Sequence, residues 1–388
     1  MERLTVIGVS HRRGGADALA DWHERYAHEG ALEALGLPHA VVLATCNRWE
    51  AVVDLPEGVD ADEARRRLAG DGGARGGPTG RTPYAYARDG ALERLIRVAA
   101  GLDSLNPGED QIMRQVRAAY VAARDAGRTD AVLSFAFERA LRAAKRVRRE
   151  VALAPVRTSL FSLARPELER TLPSGATVLV LGAGEIGELA ARSLRDIGMR
   201  VIIANRTEAR ARALGEELGV EAASLDDVRA APPRAEALVC ATPVRHLVDA
   251  EALRRTGARV CVDLGVPRNV DPAAARTVGV RLMDVDALQE AGAERRAELA
   301  GKLADAERLV LEELDVAVDE WNEKQLGPSI RRLRERTYET LTGAVSEDEA
   351  RKLVGRLVHD PIKGLRAIAR EHGVDVARTY LDETGLTE

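Results

Sequence analysis

The chain has 388 residues and a formal net charge of −5, which is length enough for two or three domains with cores of their own. The negative charge argues against a general nucleic-acid-binding protein: no DNA partner is expected, and an RNA partner must meet a local basic patch. Three widely separated cysteines, Cys46, Cys240 and Cys261, form neither a disulfide framework nor a zinc pattern, so no metal site is predicted. Without a signal peptide or an apolar run of about 20 residues, the chain is expected to be cytoplasmic, with no membrane partner.

The N-terminal part predicts strands and helices in the order βαββαβ, which is typical of a small α+β sandwich. The predicted strands are Leu4–Gly8, His39–Ala44, Trp49–Leu55 and Tyr84–Ala87, the helices are Gly15–Ala27 and Ala61–Leu68, and a glycine-rich loop covers Asp71–Pro83. Three further helices are expected at Ala91–Gly101, Asp110–Ala126 and Ala131–Val151.

Cys46 lies in a short turn, Thr45-Cys46-Asn47-Arg48, between two predicted strands. A turn of this kind holds a side chain rigidly and partly exposed, and Arg48 would favour the nucleophilic thiolate. A purely structural role for Cys46 remains open on spacing alone. Cys240 and Cys261 lie inside apolar strands and are predicted to be core residues.

A second dense polar cluster comprises Gly101-Leu102-Asp103-Ser104, Gly108-Glu109-Asp110-Gln111 and Gln115. Gln111 and Gln115 are four residues apart, so both amides project from the same face of one helix. Such a row suits recognition of a polar ligand, although a solvated helix face remains the alternative.

One predicted helix carries five cations within eight residues: Arg142, Lys145, Arg146, Arg148 and Arg149. On spacing alone, this row is a solvated face.

The most informative stretch is a strand, Thr177–Leu181, followed at once by a glycine motif and a helix that reaches Asp196. The motif consists of Gly182, Ala183, Gly184, Glu185, Ile186 and Gly187. Its first glycine permits the tight turn, its second lets the backbone approach a pyrophosphate, and its third lets helix pack on strand. A second strand, Arg200–Ala204, completes a Rossmann-type dinucleotide-binding unit. A glycine turn in some other α/β unit is the alternative, and further strands are predicted at Ala237–Ala241 and Arg259–Leu264.

The end of the second strand indicates which dinucleotide is bound. An NAD site usually has an acidic residue there for the ribose 2′-hydroxyl. This chain has Asn205, Arg206 and Thr207 instead, with an arginine to pair with a 2′-phosphate and no carboxylate to repel it. NADP(H) is therefore predicted, unless Arg206 merely points into water.

The C-terminal third predicts a long helix over Asp286–Gln325 with one apolar stripe, which would span about 60 Å. We expect this spine to lead into a helical dimerisation module that starts near Pro328. A broken pair of ordinary helices is the alternative. His359-Asp360-Pro361 is expected to form the turn at a helix start.

Together these motifs resemble the glutamyl-tRNA reductase family. The resemblance rests on TCNR, GLDS with GEDQI and Gln115, AKRVR, GAGEIG, ANRT, DLGVPRNVDP and HDP, in order from about residue 5 to about residue 366. It implies NADPH-dependent reduction of glutamyl-tRNA(Glu) to glutamate-1-semialdehyde, the first step of five-carbon tetrapyrrole biosynthesis. It also implies a V-shaped homodimer with a spinal helix, and glutamate-1-semialdehyde aminomutase as a candidate partner for product transfer.

The resemblance further implies roles for individual residues. Cys46 would attack the aminoacyl ester, release the tRNA and hold a glutamyl thioester. The family's substrate contacts fall on Thr45, Asn47, Arg48, Ser104, Glu109, Asp110, Gln111 and Gln115. Among these we assign Arg48 to the substrate's γ-carboxylate and Glu109 to its α-ammonium group. With the family in view, a tRNA-backbone contact becomes a second interpretation of the row of five cations.

The sequence departs from the family at Arg94, where a histidine important for activity is usual. Arginine stays protonated and is a poor acid or base, although it can stabilise an oxyanion. Water, the substrate or another residue would then move the proton, with His11 as one candidate, or activity would be reduced. Asn106-Pro107, where the family is usually apolar, puts the local loop shape in question.

The predicted fold class is a multidomain α/β protein. It has an N-terminal α+β catalytic domain (1–155), a Rossmann-type NADP-binding domain (156–285), and a spinal helix with a helical C-terminal dimerisation domain (286–388). Two alternatives stay open: a non-catalytic regulator that binds NADP(H) and tRNA, and a small-molecule oxidoreductase of the shikimate dehydrogenase type. The first makes no use of Cys46, and the second has no need of the TCNR segment or the long helix.

Overall fold

The computed structural model describes residues 1–11, 15–28, 30–70, 83–153 and 159–383. The chain divides into two compact units, Glu2–Val310 and Leu311–Glu388, the latter with Met1. The boundaries expected at residues 155 and 285 lie within the first unit, and the three-domain division stays a prediction. Apart from Pro83, the predicted glycine-rich loop lies outside the described residues.

The first sheet confirms the predicted βαββαβ order. Its strands are β1 (Leu4–Ser10), β2 (Ala40–Thr45), β3 (Arg48–Asp54) and β4 (Tyr84–Ala87), with helices α1 (Gly15–Arg25) and α2 (Ala61–Ala69). They pair antiparallel in the order β2-β3-β1-β4. Trp49, Ala51 and Val53 of β3 pack into a core with Trp22 of α1. Because side chains alternate along a strand, Arg48 and Glu50 point to the opposite face.

The three predicted helices follow as α3 (Asp89–Ala99), α4 (Asp110–Asp125) and α5 (Ala131–Glu150), and they lie on that opposite face. Helix α3 packs against β1, α4 against β2, and α5 against β3 and α3. The side chain of Asp130 caps α5 by accepting a hydrogen bond of 2.8 Å from the backbone N–H of Leu133. These helices therefore enclose the charged face of β3.

The second sheet is the predicted Rossmann sheet. Its six strands are parallel and run in the order β10-β9-β8-β5-β6-β7. The strands are β5 (Thr177–Leu181), β6 (Arg200–Asn205), β7 (Glu221–Ser224), β8 (Ala237–Cys240), β9 (Val260–Asp263) and β10 (Arg281–Asp284). The helices are α6 (Phe161–Thr171), α7 (Glu185–Asp196), α8 (Glu208–Leu218), α9 (Leu225–Ala230), α10 (Ala250–Thr256) and α11 (Pro272–Val278).

The strand order reverses between β5 and β8, which is where such sheets bind ligands. Cys240 and Cys261 are fully buried, as predicted. Strands β7 and β10 were not predicted. They are the edge strands of the sheet and lack the continuous apolar run that marks a strand buried on both faces.

The C-terminal helices are α12 (Leu288–Glu298), α13 (Ala300–Thr342), α14 (Glu347–Leu357), α15 (His359–His372) and α16 (Val374–Glu383). The predicted long helix exists as α13, but its expected bounds were wrong. The helical run breaks at Leu299, and α13 continues through Pro328. Leu326 and Ile330 are buried with Leu365 of α15, and this packing offsets the cost of an internal proline, about 3 kcal/mol. Helix α15 starts at His359, which confirms the predicted helix-start turn.

Candidate functional site

Cys46 and Asn47 form a two-residue turn between β2 and β3. Thr45 pairs with Arg48 across the hairpin, so both belong to the strands and not to the connecting segment that the sequence predicted. The Thr45 hydroxyl accepts hydrogen bonds from the backbone N–H groups of Asn47 (3.2 Å) and Arg48 (3.3 Å). The backbone N–H of His11 donates to the Asn47 carbonyl at 2.8 Å. The turn that carries the thiol is therefore held from both sides.

The Cys46 side chain is half-buried and packs against the core of the parallel sheet. Burial raises the pKa of the Cys46 thiol to about 12; the Glu109 carboxylate adds to the rise and Arg48 opposes it. The predicted influence of Arg48 thus has the expected sign, but burial outweighs it. Near neutral pH the thiol is protonated and must lose its proton during attack.

Arg48 is almost completely buried and only partly satisfied. Its Nη2 donates to the backbone carbonyl of Asp103 at 2.9 Å, and Asn47 Nδ2 donates to the same oxygen at 2.9 Å. Among the described residues, Arg48 Nε and Nη1 and Asn47 Oδ1 have no hydrogen-bond partner, and Nη1 lies 3.9 Å from Glu50 Oε2 as an ion pair. Both residues line a cleft of about 360 Å³. Buried unpaired donors are costly, and the two Arg48 nitrogens can receive a carboxylate.

Arg94 closes a buried network of charges on the same face. It bonds Glu50 of β3 through Nε at 2.9 Å and Nη2 at 2.6 Å, and its Nη1 pairs with Asp103. Burial lowers the pKa of Arg94, but Glu50 and Tyr84 together raise it above its ordinary value. Arg94 therefore stays protonated, and two carboxylates already occupy it.

Glu50 is a site residue that the sequence reasoning missed. Burial alone would raise the pKa of its carboxyl, yet Arg94, Arg48 and Tyr84 hold that pKa below its ordinary value. The signal was present in the sequence: Arg48 and Glu50 are charged residues two apart in an otherwise apolar strand, and so share one face. What they face could be learned only from the tertiary structure.

The second predicted cluster surrounds the start of α4. Gln111 is buried, and Gln115 is half-buried on the same helix. Arg148 of α5 pairs with the Asp110 carboxylate and donates to the Glu109 backbone carbonyl at 2.8 Å. The loop before α4 is closed by a hydrogen bond of 3.0 Å from Gly108 N–H to the Gly101 carbonyl.

Glu109 immediately precedes α4. Burial raises the pKa of the Glu109 carboxyl to about 7, while the Ser104 hydroxyl, Arg48 and Arg148 oppose the rise. The two clusters of the sequence analysis meet at the Asp103 carbonyl, which accepts hydrogen bonds from Asn47 and Arg48. The shape of the Asn106-Pro107 loop was left open by the sequence. In the structure Asn106 is buried, and its side-chain amide donates to the Ser159 carbonyl at 3.0 Å.

His11 lies beside the thiol turn through its backbone, but its ring is engaged elsewhere. The ring is fully buried, with Nε2 at 2.6 Å from the Asp286 carboxylate. Burial lowers the pKa of His11, and Asp286 opposes this. The buried ring is therefore paired with a half-buried carboxylate that precedes α12.

The glycine motif has the predicted geometry. A Cβ on Gly187 would lie 1.9 Å from the Gly182 carbonyl oxygen, whereas a Cβ on Gly184 meets nothing within 4 Å. Gly182 itself has φ 112°. Close packing thus requires glycine at Gly187, and the open space at Gly184, beside the N-terminus of α7, fits an approaching pyrophosphate.

The three residues after β6 divide into two roles. Asn205 Oδ1 accepts from Ala183 N–H at 3.3 Å, and Asn205 Nδ2 donates to the Thr207 carbonyl at 3.1 Å. Asn205 therefore fixes the glycine turn to the end of β6. Arg206 is exposed and, within the described residues, has no side-chain partner, so its guanidinium is available to a phosphate.

The five cations of α5 do not form one surface. Arg142, Lys145 and Arg149 are exposed, and Arg146 pairs with Glu150 at 3.1 Å. Arg148 instead points inward to the start of α4. A tRNA contact by this row stays a prediction, with Arg148 serving the site.

Comparison with known proteins identifies the architecture. One family model, described as the N-terminal domain of glutamyl-tRNA(Glu) reductase, matches residues 7–151, and one described as shikimate / quinate 5-dehydrogenase matches residues 162–291. A glutamyl-tRNA reductase of Halobacterium salinarum is 35% identical over 98% of this chain and 92% of the relative. The chain belongs to the glutamyl-tRNA reductase family. Another member, from Myxococcus xanthus, is 33% identical over 99% of this chain and 94% of its own length.

A solved glutamyl-tRNA reductase from Methanopyrus kandleri has the same multidomain fold. It is 26% identical, covers 100% of both chains and superimposes with a TM-score of 0.50. The predictions of family, fold class and an oxidoreductase of tetrapyrrole biosynthesis are thus confirmed. The matched dehydrogenase domain supports a nicotinamide cofactor. Within the part of the chain that the structure describes, no helix is long and apolar enough to cross a bilayer.

Proposed function

We propose that the protein reduces glutamyl-tRNA(Glu) to glutamate-1-semialdehyde with NADPH, through a glutamyl thioester on Cys46. The observation that carries the proposal is a fixed thiol two residues from Arg48, whose buried Nε and Nη1 have no hydrogen-bond partner among the described residues. An attacking group and a receptor for a substrate carboxylate thereby lie on one rigid hairpin. This reaction is the first step of the five-carbon route to tetrapyrroles.

Substrate binding begins with the charged end of the glutamyl group. Its γ-carboxylate accepts hydrogen bonds from Arg48 Nε and Nη1, which otherwise have no hydrogen-bond acceptor among the described residues. Its α-ammonium group bonds Glu109, whose backbone is held by Arg148 at the start of α4. The remaining contacts come from Thr45, Asn47, Ser104, Asp110, Gln111 and Gln115. Of these, Thr45 fixes the turn, and Asp110 holds Arg148.

The thiol then attacks the ester. The Cys46 sulfur forms a bond to the glutamyl carbonyl carbon, the bond to the ribose oxygen breaks, and the tRNA leaves. A thioester is a better hydride acceptor than an oxygen ester, which explains the use of a covalent intermediate. NADPH, when bound, supplies the hydride that releases the aldehyde.

The preference for NADPH is supported by Arg206. This side chain is exposed and lies just beyond β6, where the 2′ position of the adenosine ribose is expected. Gly182, Ala183, Gly184, Glu185, Ile186 and Gly187 would hold the pyrophosphate, and Asn205 and Thr207 shape the turn beside it. The absence of a carboxylate at the end of β6 removes the group that would repel a 2′-phosphate.

The macromolecular partners form part of the proposal. The exposed cations of α5 contact the tRNA backbone, and residues 1–155, 156–285 and 286–388 serve catalysis, NADPH binding and dimerisation. Among the described residues, five of the six large exposed hydrophobics lie in the C-terminal unit: Leu311, Val316, Leu357, Val376 and Tyr380. Exposed apolar side chains concentrated in this unit support a homodimer, in the cytoplasm, as part of the proposal. Transfer of the aldehyde to glutamate-1-semialdehyde aminomutase would protect a reactive product.

A single-turnover assay tests the function, using tRNA(Glu) charged with labelled glutamate. Wild-type protein without NADPH should carry label in a hydroxylamine-sensitive bond, and with NADPH it should release glutamate-1-semialdehyde. Cys46→Ser should do neither while it keeps the wild-type urea unfolding midpoint. Wild-type protein that binds tRNA and NADPH but forms no label and no aldehyde would contradict the reductase function and favour the regulatory alternative.

A further inference from the structure

The two chemical steps of the proposed reaction make different demands on the fold. Acylation uses Cys46 and Arg48, which belong to one hairpin. Reduction also requires the nicotinamide ring to reach the acylated sulfur, and this ring belongs to the other sheet. A misplacement of about 1 Å between reacting groups can cost about 100-fold in rate. A contact that fixes the thiol turn to the nicotinamide side of the Rossmann sheet therefore acts mainly on the second step.

The nicotinamide side of that sheet follows from the order of its strands. A dinucleotide lies across the point where the strand order reverses, with one half of the sheet for each nucleotide. The glycine motif follows β5 and Arg206 follows β6, so the adenosine belongs to the side of β5, β6 and β7. The nicotinamide then belongs beyond the carboxyl ends of β8 and β9. Residues 264–270, which follow β9, lie at that edge.

Arg268 of this segment begins a chain of contacts that ends at the thiol turn. Its Nη2 pairs with the Asp286 carboxylate. The second oxygen of that carboxylate, Oδ1, lies 2.6 Å from Nε2 of His11. The backbone N–H of His11 in turn donates to the Asn47 carbonyl at 2.8 Å. Three contacts thus lead from the nicotinamide side of the sheet to the residue that follows Cys46.

Burial and packing restrain this chain. The His11 side chain is fully buried, and that of Arg268 is 14% exposed. Nε of Arg268 donates to the Asp284 carboxylate at 2.9 Å, which fixes the guanidinium on a second side. Val266, from the same segment, packs against the cores of both sheets. Cys46 itself packs against the core of the Rossmann sheet. The thiol turn and the segment after β9 are therefore held close together.

Other ion pairs between the two regions differ in exposure and in place. Arg114 pairs with Glu185 at 2.6 Å, and Arg245 pairs with Asp21 at 3.5 Å. All four side chains are more than a third exposed, and such pairs contribute little to a fixed geometry. They join helices α4 and α1 to the Rossmann sheet. The His11–Asp286–Arg268 chain instead reaches the turn that carries the thiol.

We propose that His11 is a positioning residue for the reduction step, because through Asp286 and Arg268 it fixes the thiol turn to the nicotinamide side of the Rossmann sheet. This inference rests on the proposed function. His11 acts through the Asn47 carbonyl, and Asp286 occupies its ring. Without the ring, the hairpin of Cys46 and Arg48 still forms the thioester, but the thioester meets the nicotinamide less precisely.

The first test measures the two steps separately in the full-length protein. Labelled glutamyl-tRNA(Glu) without NADPH gives the acylation rate, and saturating NADPH added to the labelled protein gives the reduction rate. His11→Ala should slow reduction by about 100-fold and acylation by less than about threefold. The amide of glutamine can place an N–H near the position of Nε2, so His11→Gln should restore part of the reduction rate. Equal slowing of both steps would indicate a merely structural role and overturn the proposal.

The second test asks whether His11 acts through Asp286. Asp286→Ala should slow reduction as much as His11→Ala does, and Asp284 still pairs with Arg268 in this variant. If the two residues act as one unit, the double variant should reduce the thioester no more slowly than either single variant. Losses that multiply would show that the two residues act independently, and would overturn the proposal.

The third test needs no tRNA. Hydrogen–deuterium exchange followed by mass spectrometry reports local opening of the backbone. His11→Ala should raise deuterium uptake in a peptide that covers residues 44–48, whereas a peptide that covers residues 84–87 of β4 should keep the wild-type uptake. Wild-type uptake at residues 44–48 would show that His11 does not hold the thiol turn, which would overturn the proposal.

Controls keep these results interpretable. His372→Gln is the matched control, because His372 is 62% exposed and lies in α15; both rates should equal those of wild type. Urea unfolding identifies the variants that are folded in the assay, and His11→Gln and Asp286→Ala decide the question if His11→Ala is not. If wild-type protein acquires no label, the proposed function has failed and the role of His11 falls with it. If wild type is labelled and reduced and His11→Ala matches it in both steps, only the positioning role is wrong.

Discussion

The two halves of the site are built in different ways. The nucleotide turn is made of backbone: glycines whose missing side chains leave space, followed by a helix N-terminus. The thiol pocket, beside the turn that carries Cys46, is made of side chains from separate elements. These are Arg48 and Glu50 of β3, Arg94 of α3, Glu109 before α4 and Arg148 of α5. In the first, a ligand fills room that the chain leaves open. In the second, buried charges balance one another around Cys46.

This difference determines how each region responds to substitution. Removing a charge from the thiol pocket leaves its partner buried and uncompensated, so stability and activity are lost together. Replacing a glycine of the nucleotide turn adds a side chain, which either collides with the protein or enters the space left for NADPH. Substitutions at different glycines should therefore affect either stability or NADPH binding. The predictions below test this contrast.

The largest expected loss is at Glu50. Glu50→Ala leaves Arg94 and Arg48 without the carboxylate between them, and should lower the free energy of unfolding by about 3–5 kcal/mol. Urea unfolding followed by circular dichroism measures this loss. Glu57→Ala, an exposed control, should change it by less than about 0.5 kcal/mol. Equal midpoints for Glu50→Ala and wild type would mean that the buried network adds no stability.

Two glycines separate stability from binding in the nucleotide turn. Gly187→Ala brings a Cβ to 1.9 Å from the Gly182 carbonyl oxygen and should cost about 1–3 kcal/mol of stability. A Cβ at Gly184 meets no atom of the described residues within 4 Å, so Gly184→Ala should keep the wild-type midpoint and weaken NADPH binding. Thermal unfolding and NADPH fluorescence titration measure the two effects. The contrast fails if Gly184→Ala is the less stable variant.

Arg206 tests which dinucleotide is used. Loss of one charge-assisted bond to the 2′-phosphate costs about 1.5–3 kcal/mol, so Arg206→Ala should raise KM for NADPH by about 10- to 100-fold. KM for NADH should stay unchanged. Arg229→Ala, an exposed arginine on α9, serves as the control. An equal rise for both cofactors would remove Arg206 from the specificity site.

The smallest effect is expected where the two regions meet. Arg114 of α4 pairs with Glu185 of the glycine motif at 2.6 Å, and both side chains are substantially exposed. Exposed pairs contribute about 0–1 kcal/mol, so Arg114→Ala should barely change the urea midpoint, and 0.5 M salt should abolish the difference. A loss above 2 kcal/mol would mean that this pair, and not the buried network, holds the regions together.

Prediction from the sequence succeeded where short segments determine their own structure. The strand–glycine–helix run marked the nucleotide turn, and the paired apolar strands marked the thiol hairpin. The break at Leu299 was not predicted. Gly292 of α12 is required to be glycine because a Cβ there would lie 2.7 Å from the Leu105 carbonyl oxygen. Close approach of distant segments leaves no local pattern.

The sequence by itself determined the family, the Rossmann unit, the order of the N-terminal elements and the chemical types at the thiol site, because period, glycine spacing and motif order are local properties. Only the tertiary structure decided that Glu50 neutralises Arg94, that Arg148 leaves the row of cations to hold Asp110, and that Arg48 is buried beside the Asp103 carbonyl. The physical reason is that the energy of a buried charge depends on its neighbours in space, and those neighbours come from separate helices and strands.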